Sequence, residues 1–491
     1  MIRKAIQLGI LLTSCALVCA EGIAAPGIAR NKIEVSSVKE LRAVMTESHQ
    51  QIVMAPGTYV VSDLLDSKTV FHLSGSDSVY DLSGVTLQIP LSTLRKMASK
   101  GAHGRAAYRI TGDRITLKGG TFENTYDDGM TTVTDFGKYN QNKHYHPAGG
   151  MNEMSISGDD VQVIACKLTV RGSFPYGYGN MYGIGRGNVV GLKKHGGIHS
   201  TGDRLIIDGC RVKMESFCHA IFFTDGDGIT VRNTLVEGGV RPSNDLYDET
   251  NDGDLAKRFD YKVQWPESVK GLPIPRDHML NLTEDGIRAY PGTGHVTVDN
   301  CKVVKARGGI KLYMAKGATV SNCQVLDCVI QGYSLPSRGT ITHCSGNVAY
   351  GPLLYIHFDS HRSQHIDLEV LPSPHGLGDH PLAAINGSAH SIHFTAQGNP
   401  VPETLRPIIV GHPLRFDFLC VDYPDVPDGY EKRFAKYAKK RYKASNITLT
   451  NGTAHPVVLA ELSRDNKVIS DGSVKDYGTN NILNKHVSVN R

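Results

Sequence analysis

A short phrase that ends in a fixed cysteine slot recurs along this chain and constrains its fold more than any other feature. The copies are VQVIAC (161–166), LIIDGC (205–210), ITVRNT (229–234), VTVDNC (296–301), ATVSNC (318–323) and GTITHC (339–344). The last three slots stand 22 and 21 residues apart, and Cys166 and Cys210 stand 44 apart, which is two periods. A period of about 20–25 residues built from short strands indicates a solenoid, because no such strand buries its apolar side alone.

The pattern within each copy predicts the kind of solenoid. Side chains alternate between the two faces of a strand, so Val296 and Val298 point inward and Thr297 points outward. Stacked coils about 4.8 Å apart pair every strand with its neighbours and bury a continuous core. A TIM barrel or doubly wound sheet needs amphipathic helices between its strands, and this chain has almost none. We therefore expect an all-β fold, a right-handed single-stranded parallel β-helix.

The cysteines of the slot are expected to be free thiols. Of the ten cysteines, all but Cys15 and Cys19 follow the apolar start of the chain, and an exported even-numbered set often forms disulfides. Side chains stacked in one column point the same way, however, which suits buried thiols better than the crossed geometry of a disulfide. Cys218, Cys328 and Cys420 are expected outside the column.

The chain divides into parts along its length. Residues 1–20 (to about 25), with basic Met1–Lys4 before an apolar run, have the pattern of a secretory signal peptide. They predict an exported protein, periplasmic or secreted, and Cys15 leaves a lipid anchor open as an alternative. No later run reaches about 18 apolar residues, so no membrane span is expected.

Beyond that segment we expect three regions. Residues 33–65 form an N-terminal cap with a short helix near residues 38–47, capped by Ser36 or Ser37. Residues 70–370 form the β-helix core. Residues 385–491 add further coils, interrupted by a basic helix at residues 428–443.

Charge and composition limit the partners. The net charge is +5, the sequence pI is about 8.5, and tryptophan occurs once. The positive residues are not gathered in a basic, aromatic-laced tract, which argues against nucleic acid. The sequence predicts an acidic polysaccharide or oligosaccharide as partner, and a monomer.

Three long insertions, residues 124–150, 171–196 and 239–284, leave the coil at one place, after the slot strand and before the next short strand. Because coils stack in register, the insertions wall one groove, and loops of this length are usually functional or disordered. Their candidate substrate contacts are His146, Tyr178 and Arg186. Asp245, Asp248, Asp252 and Asp254 leave calcium open, although such clusters usually form turns. No cofactor is predicted otherwise, and no spacing of zinc ligands occurs.

The strand after the insertions carries the candidate chemistry. Lining up the copies gives one outward column, Ser155, His199, Phe222, Arg288 and Lys311, with Tyr290 and Tyr313 in a second column two residues along. Arg288 above Lys311 would place two cations about 4.8 Å apart. They repel unless an anionic ligand or carboxylates such as Glu284 and Asp285 neutralise them.

The coil architecture, the export signal and the polar groove resemble the β-helical polysaccharide lyases, which include pectate, alginate and chondroitin lyases. The resemblance implies β-elimination: a positive group or metal neutralises the uronate carboxylate, a base removes the C5 proton, and an acid protonates the leaving oxygen. Lys316 and Arg338, 22 residues apart, are similar to the Lys base and following Arg of chondroitinase-B-like and alginate-lyase-like enzymes. Where those enzymes place calcium-binding carboxylates, this chain has Gly309 and Lys311, so Lys311 would replace the metal.

The predicted function is therefore an exported polysaccharide lyase that cleaves a uronic-acid-containing polysaccharide. Arg288 or Lys311 or both would bind the carboxylate. The candidate bases are Lys316, His199 and His219, and the candidate acids are Tyr313 and Arg338. The predicted substrate contacts are His195, Tyr290, Phe222, His146, Tyr178, Arg186, Glu284 and Asp285.

Two alternatives remain at the level of sequence. A glycoside hydrolase on the same scaffold would need two carboxylates about 5–9.5 Å apart. Its candidates are Glu284, Asp285, Asp225, Asp227, Asp248 and Glu249. A glycan-binding β-helix without catalysis is the third class, since the fold alone decides none of them.

Overall fold

The computed structural model describes residues 30–99, 104–127, 133–141, 150–179, 193–249, 255–264, 270–373, 381–396, 405–411 and 442–485. The predicted signal peptide and residues 428–441 of the predicted basic helix lie outside these ranges, as do His146, Arg186, Asp252, Asp254 and Cys420. No helix within the described ranges is long and apolar enough to cross a membrane.

The strands stack in parallel into three faces of a solenoid, as predicted for a right-handed parallel β-helix. Face 1 consists of β1 (Asn31–Val35), β2 (Gln50–Met54), β5 (Val79–Asp81), β8 (Thr116–Lys118), β11 (Gln162–Ile164), β14 (Ile206–Asp208), β17 (Ile229–Arg232), β22 (His295–Asp299), β25 (Gly317–Ser321), β28 (Thr340–Val348), β30 (His365–Val370), β33 (Ser391–Ala396), β36 (Thr448–Asn451), β39 (Lys467–Ser470) and β41 (Ile482–Lys485). Face 2 consists of β3 (Gly57–Val60), β6 (Val85–Pro90), β9 (Thr121–Thr125), β12 (Lys167–Arg171), β15 (Arg211–Glu215), β18 (Leu235–Glu237), β23 (Lys302–Val304) and β26 (Gln324–Cys328), which pairs with the second half of β28.

Face 3 carries the predicted outward column. It consists of β4 (Thr69–Leu73), β7 (Arg105–Ile110), β10 (Met151–Ile156), β13 (His195–Ser200), β16 (Ile221–Phe223), β21 (Asp285–Ala289), β24 (Gly308–Lys311), β27 (Gln331–Ser334), β29 (Leu354–Ile356), β31 (Ala383–Ile385), β34 (Ile408–Val410), β37 (Val457–Leu459) and β40 (Val474–Asp476). The remaining strands are the antiparallel pair β19 (Val240–Pro242) and β20 (Met279–Asn281), and the short β32 (Gly387–Ser388), β35 (Ala444–Ser445) and β38 (Ser463–Arg464).

Helices are few in the described chain. They are α1 (Val38–Val44), α2 (Leu91–Ser99), α3 (Phe136–Gln141), α4 (Leu255–Arg258) and a 3-10 turn (Ser243–Leu246). The helix α1 connects β1 and β2, the Ser37 hydroxyl accepts from the Glu40 N–H as an N-cap, and Leu41 is buried. Face 1 continues without a break in pairing from β28 to β41, across residues 370–385. The division of the chain at residues 65–70 and 370–385 stays a prediction.

The cysteine corner, where face 1 turns into face 2, has the predicted geometry. Val296 pairs with Ala318 and Val298 with Val320, and all four side chains are buried. The residue before the slot lies in the left-handed region, with φ of 64° at Gly209 and 49°, 55° and 52° at Asn300, Asn322 and Asn233. Glycine and asparagine tolerate this conformation best, and it turns the slot residue inward.

The slot cysteines stack as free thiols. Cys166, Cys210, Cys301, Cys323 and Cys344 are buried and unbridged, and so are Cys218 and Cys328 outside the column. The Cys301 backbone N–H donates to Cys323 Sγ (3.4 Å), and the Cys323 N–H donates to Cys344 Sγ (3.3 Å). The expectation of free, buried thiols is confirmed for the described cysteines.

The three insertions leave the coil at one corner, between face 2 and face 3. They separate β9 from β10, β12 from β13, and β18 from β21. Their described parts form small apolar clusters of their own, one around Tyr139, Tyr176 and Phe217 and another around Tyr178, Leu246 and Leu272. The insertions therefore stand along one edge of face 3.

Candidate active site

The outer column of face 3 has the predicted register. Pairing joins Ser155 to His199, His199 to Phe222, Phe222 to Arg288 and Arg288 to Lys311. Arg288 and Lys311 are therefore neighbours on adjacent coils, about 4.8 Å apart along the solenoid.

A buried cluster of charges lies directly beside these two residues. The Arg307 guanidinium donates to both carboxylate oxygens of Asp285, at 3.0 Å and 2.7 Å, and to Glu284 Oε1 at 3.2 Å. Lys194 Nζ donates to Glu284 Oε1 (2.8 Å), and Lys311 Nζ donates to Asp285 Oδ1 (3.3 Å). We call these five residues the charge cluster.

Both carboxyl groups of the charge cluster are held as carboxylates. Burial by itself raises their pKa values, because it penalises the charged form. For Glu284 the charges of His219, which is protonated only at acidic pH, and of Lys194 and Arg307 outweigh burial and lower the pKa to about 2. For Asp285 the charges of Arg307 and Lys311, with smaller contributions, bring the pKa well below its ordinary value.

Lys311 has the opposite balance. Burial, the largest influence, disfavours its ammonium form, and the positive charges of Arg288 and Arg307 add to that effect. Asp285 opposes them only in part, so the pKa of Lys311 falls to about 7. Near neutral pH this amine is therefore available in its neutral form as a proton acceptor.

Arg288 stands between two aromatic rings. Its guanidinium carbon lies 4.9 Å from the ring centre of Tyr290 and 4.8 Å from that of Tyr313, and Nη2 donates to the Tyr313 hydroxyl (3.1 Å). Nη1 is 3.8 Å from an Asp285 oxygen, beyond hydrogen-bond distance. Nε and Nη1 are buried and have no hydrogen-bond partner among the described residues.

His219 and Tyr290 form a directed pair on the other side of Asp285. The Asp285 backbone N–H faces His219 Nδ1 (3.2 Å), so Nδ1 accepts and the neutral ring carries its proton on Nε2. Nε2 lies 2.7 Å from the Tyr290 hydroxyl oxygen and donates to it. The Tyr290 O–H is thereby left to donate elsewhere. Burial lowers the pKa of His219 to about 4 and raises that of Tyr290 to about 12, so both are neutral at pH 7.

On the N-terminal side of Arg288, the outer column of face 3 continues with an aromatic pair. The rings of His199 and Phe222 stack at 4.7 Å with planes 29° apart, and both side chains are half-buried. His199 Nε2 is hydrogen-bonded to the Thr224 hydroxyl (2.8 Å), and burial lowers its pKa. His199 is therefore neutral and part of a flat surface next to Arg288.

Two predicted substrate contacts do not reach the groove, and the structure corrects both. His195 is completely buried: its Nδ1 lies 2.6 Å from the Arg171 carbonyl oxygen and its Nε2 lies 3.2 Å from Glu153 Oε2. Tyr178 is also completely buried, inside the wall, and donates to Glu249 Oε2 (3.0 Å). At both positions the polar atoms that were expected to contact substrate face internal neighbours.

The lyase-like pair Lys316 and Arg338 lies at the turns that lead from face 3 into face 1. Both residues are exposed. The Lys316 backbone N–H donates to the Thr293 carbonyl, and the Arg338 N–H donates to the Arg362 carbonyl. Among the described residues no hydrogen bond or ion pair joins either side chain to the charge cluster.

The carboxylates considered for a hydrolase are scattered. Asp225 and Asp227 are exposed in a turn after β16, where Asp227 accepts the His295 N–H (2.5 Å). Glu249 pairs with Arg241 in the wall, and Asp248 lines the cleft there. Only Glu284 and Asp285 lie beside the column.

The described residues include no group of three or more His, Cys, Asp or Glu side chains placed to hold a metal ion. A calcium site in the third insertion thus has no support from Asp245 and Asp248. A groove of about 640 Å³ lies at the cysteine corner, lined by residues such as Asn322, Gln324 and Glu369. The carboxylates and the histidine of its lining are at least partly exposed, in contrast to the buried Glu284 and Asp285.

Several residues of the site were missed by the sequence analysis. Arg307 and Lys194 hold the carboxylates, and His357 stacks on Tyr313 with ring centres 3.8 Å apart. Arg307 follows Asp285 by 22 residues, which is one coil. That interval is shared by every position in a coil, so it did not single out the pair.

The fold defines the class: the chain is a right-handed parallel β-helix protein. No protein-family model matches it, and no curated protein matches it. Solved structures that resemble it include a mannuronic acid specific polysaccharide family 6 lyase from human gut microbiota, with 7% identity, a TM-score of 0.41, and coverage of 93% of this chain and 83% of that chain.

Another is the endo-xylogalacturonan hydrolase from Aspergillus tubingensis, with 9% identity, a TM-score of 0.36 and 93% of each chain covered. A third is the catalytic domain of a GH87 α-1,3-glucanase, with 8% identity, a TM-score of 0.41, and coverage of 94% of this chain and 66% of that chain. These likenesses concern the fold, so the chemistry of this chain rests on its own residues.

Proposed function

We propose that this protein is an exported polysaccharide lyase that cleaves a uronic-acid-containing polysaccharide by β-elimination at the charge cluster. The observation that carries the proposal is the buried Arg288, with two N–H groups that have no partner among the described residues, beside an amine whose pKa is near 7. The pattern of residues 1–20 supports export.

The charge balance of the site favours an anionic ligand. Lys194, Arg307 and Arg288 bring three positive charges to two carboxylates, while Lys311 is partly neutral near pH 7 and His219 is neutral. Each buried N–H group that lacks a hydrogen bond costs about 1–3 kcal/mol. A uronate carboxylate on Nε and Nη1 of Arg288 would recover that cost and would make the neighbouring C5 proton more acidic.

The proton steps follow from the protonation states. Neutral Lys311 Nζ accepts the C5 proton, the electron pair of that C–H bond forms the C4–C5 double bond, and the C4–O bond breaks. The leaving oxygen takes a proton from a tyrosine hydroxyl. Tyr290 is best prepared for this role, because His219 Nε2–H already donates to its oxygen and leaves its own O–H directed elsewhere.

The same protonation states count against a glycoside hydrolase. Such enzymes usually protonate the leaving group with a carboxylic acid whose pKa is raised. Glu284 and Asp285 are instead ionised and bound by Arg307 and the two lysines. They serve the proposed lyase as the groups that position Arg307 and Lys311.

The experiment uses the absorbance of 4,5-unsaturated uronate while the protein acts on pectins, alginate, glycosaminoglycans and gum-type chains. We expect a rising signal on at least one polymer and a loss of about 10²–10⁴-fold in Lys311→Ala, the range for removing a general base. Lys316→Ala is the matched control and should keep its activity. A normal signal in Lys311→Ala, or its loss only in Lys316→Ala, would contradict the assignment.

A further inference from the structure

The outer column of face 3 differs on the two sides of Arg288. On the N-terminal side, Ser155, His199 and Phe222 are half-buried. On the C-terminal side, beyond Lys311, the next outward residues are Ser334, Tyr355 and Ala384, at 0%, 5% and 0% exposure. Beyond Lys311 the outward face of the column is therefore buried, whereas before Arg288 it is partly exposed.

An aromatic stack forms the boundary between the two sides. The ring of His357 lies 3.8 Å from that of Tyr313 and 3.7 Å from that of Tyr355, centre to centre. The Gln331 side-chain amide donates to His357 Nε2 (3.2 Å) and fixes the ring. These are contact distances, so no sugar fits between the rings.

The open side has a surface suited to sugars that follow the bound uronate. The stacked rings of His199 and Phe222 lie two coils and one coil before Arg288 in the same column. Phe222 is also 5.5 Å from the ring of His219, so the flat surface reaches the charge cluster. A polymer whose carboxylate contacts Arg288 can continue in this direction.

We propose that the site binds the end of the uronate chain and not its interior, so that the enzyme releases one or two sugars at a time. This inference rests on the proposed lyase function. The chain would lie over Phe222 and His199, and its terminal part would end against the stack of Tyr313, His357 and Tyr355.

The first test is the size of the products during the first few per cent of reaction on a polymer that gives unsaturated uronate. The expected result is monosaccharide or disaccharide from the earliest time, with the remaining polymer close to its original length. An early ladder of oligosaccharides would overturn end binding while the lyase function stood. Absence of unsaturated product on every uronate polymer would overturn the lyase function and this inference with it.

A second test compares polymer samples of different mean length at equal mass concentration. At equal mass concentration, shorter chains give a higher concentration of chain ends. For an enzyme that acts on ends, the initial rate at low concentration should therefore rise in proportion to the number of ends. A rate independent of chain length would contradict the proposal.

Two phenylalanines provide matched variants. Phe222→Ala removes the surface on the open side and should raise the KM for chains of three or more sugars about tenfold, the size of one aromatic contact. Phe358 is 40% exposed and lies beside His357 and Tyr313, on the C-terminal side of Arg288, so Phe358→Ala should leave that KM unchanged. A KM raised equally by both changes would show that the polymer runs across both sides.

Discussion

The cysteine corner and the outer column of face 3 are built from the same coils but use them in opposite ways. At the cysteine corner one residue type repeats, and Cys301, Cys323 and Cys344 make the same contact from coil to coil. In the outer column the residue changes at every step, and buried charge is gathered on the two coils that carry Arg288 and Lys311. Repetition in a solenoid marks packing, whereas its local loss marks the place where a ligand can be recognised.

The largest effect is expected in the charge cluster, where charged side chains are most deeply buried. Arg307→Met removes the guanidinium that binds Glu284 and Asp285 and leaves them short of a partner. Breaking a buried ion pair in this way costs about 3–5 kcal/mol, measurable as the free energy of unfolding in urea followed by circular dichroism.

The matched control is Arg204→Met. Arg204 pairs with Asp160 at the surface (2.7 Å), and both side chains are more than one-third exposed. We expect no measurable change in stability, since exposed pairs contribute little. Equal losses in the two variants would mean that the charge cluster is an ordinary surface network.

The next largest effect concerns recognition of the carboxylate. Arg288→Ala should lower kcat/KM by about 10²–10³-fold, as expected for loss of a buried donor to developing charge. Arg109→Ala is the control, because Arg109 stands in the same outward column further toward the N-terminus and is half-buried. A loss below threefold in Arg288→Ala would remove the central reason for an anionic substrate.

The pH dependence sharpens the assignment of the base. The neutral amine is the active form of Lys311, and its pKa is lowered to about 7. Below that pH, log(kcat/KM) should rise with a slope of about one per pH unit, and it should level off above it. The residual activity of Lys311→Ala should lack this rise. A wild-type profile that falls as pH increases from 5 to 7 would point to a protonated acid instead.

The smallest effect is expected at the cysteine corner. Cys323→Ala removes one buried sulfur and should destabilise the protein by about 1–2 kcal/mol through the lost packing. The activity should not change, because the cysteine corner lies between face 1 and face 2, whereas the charge cluster lies beside face 3. A large loss of activity with the fold intact would mean that the two regions are coupled.

The same comparison explains what the sequence could predict. The coil period and the alternation of side chains along each strand predicted that Arg288 and Lys311 share one outward face. Both patterns follow from backbone geometry that every coil repeats. The interval of 22 residues between Lys316 and Arg338 is also one coil, but every position in a coil has that interval. Spacing alone therefore does not identify the face, and these two residues lie at exposed turns.

Burial and pairing depend on tertiary contacts that a pattern does not contain. His195 begins a strand of face 3, yet its ring points to Glu153 and away from the groove. Arg307 helps to keep Glu284 and Asp285 ionised, and this role appears only when the coils are stacked. The lowered pKa of Lys311 likewise results from burial beside Arg288, which the sequence could suggest but not measure.

The most direct test of the account counts both products of each cleavage. Unsaturated uronate, measured by absorbance, and new reducing ends, measured chemically, should appear in equal molar amounts when the protein acts on its uronate polymer. Equal amounts are the result that β-elimination at Lys311 predicts. New reducing ends without absorbance would mean hydrolysis and would contradict the account.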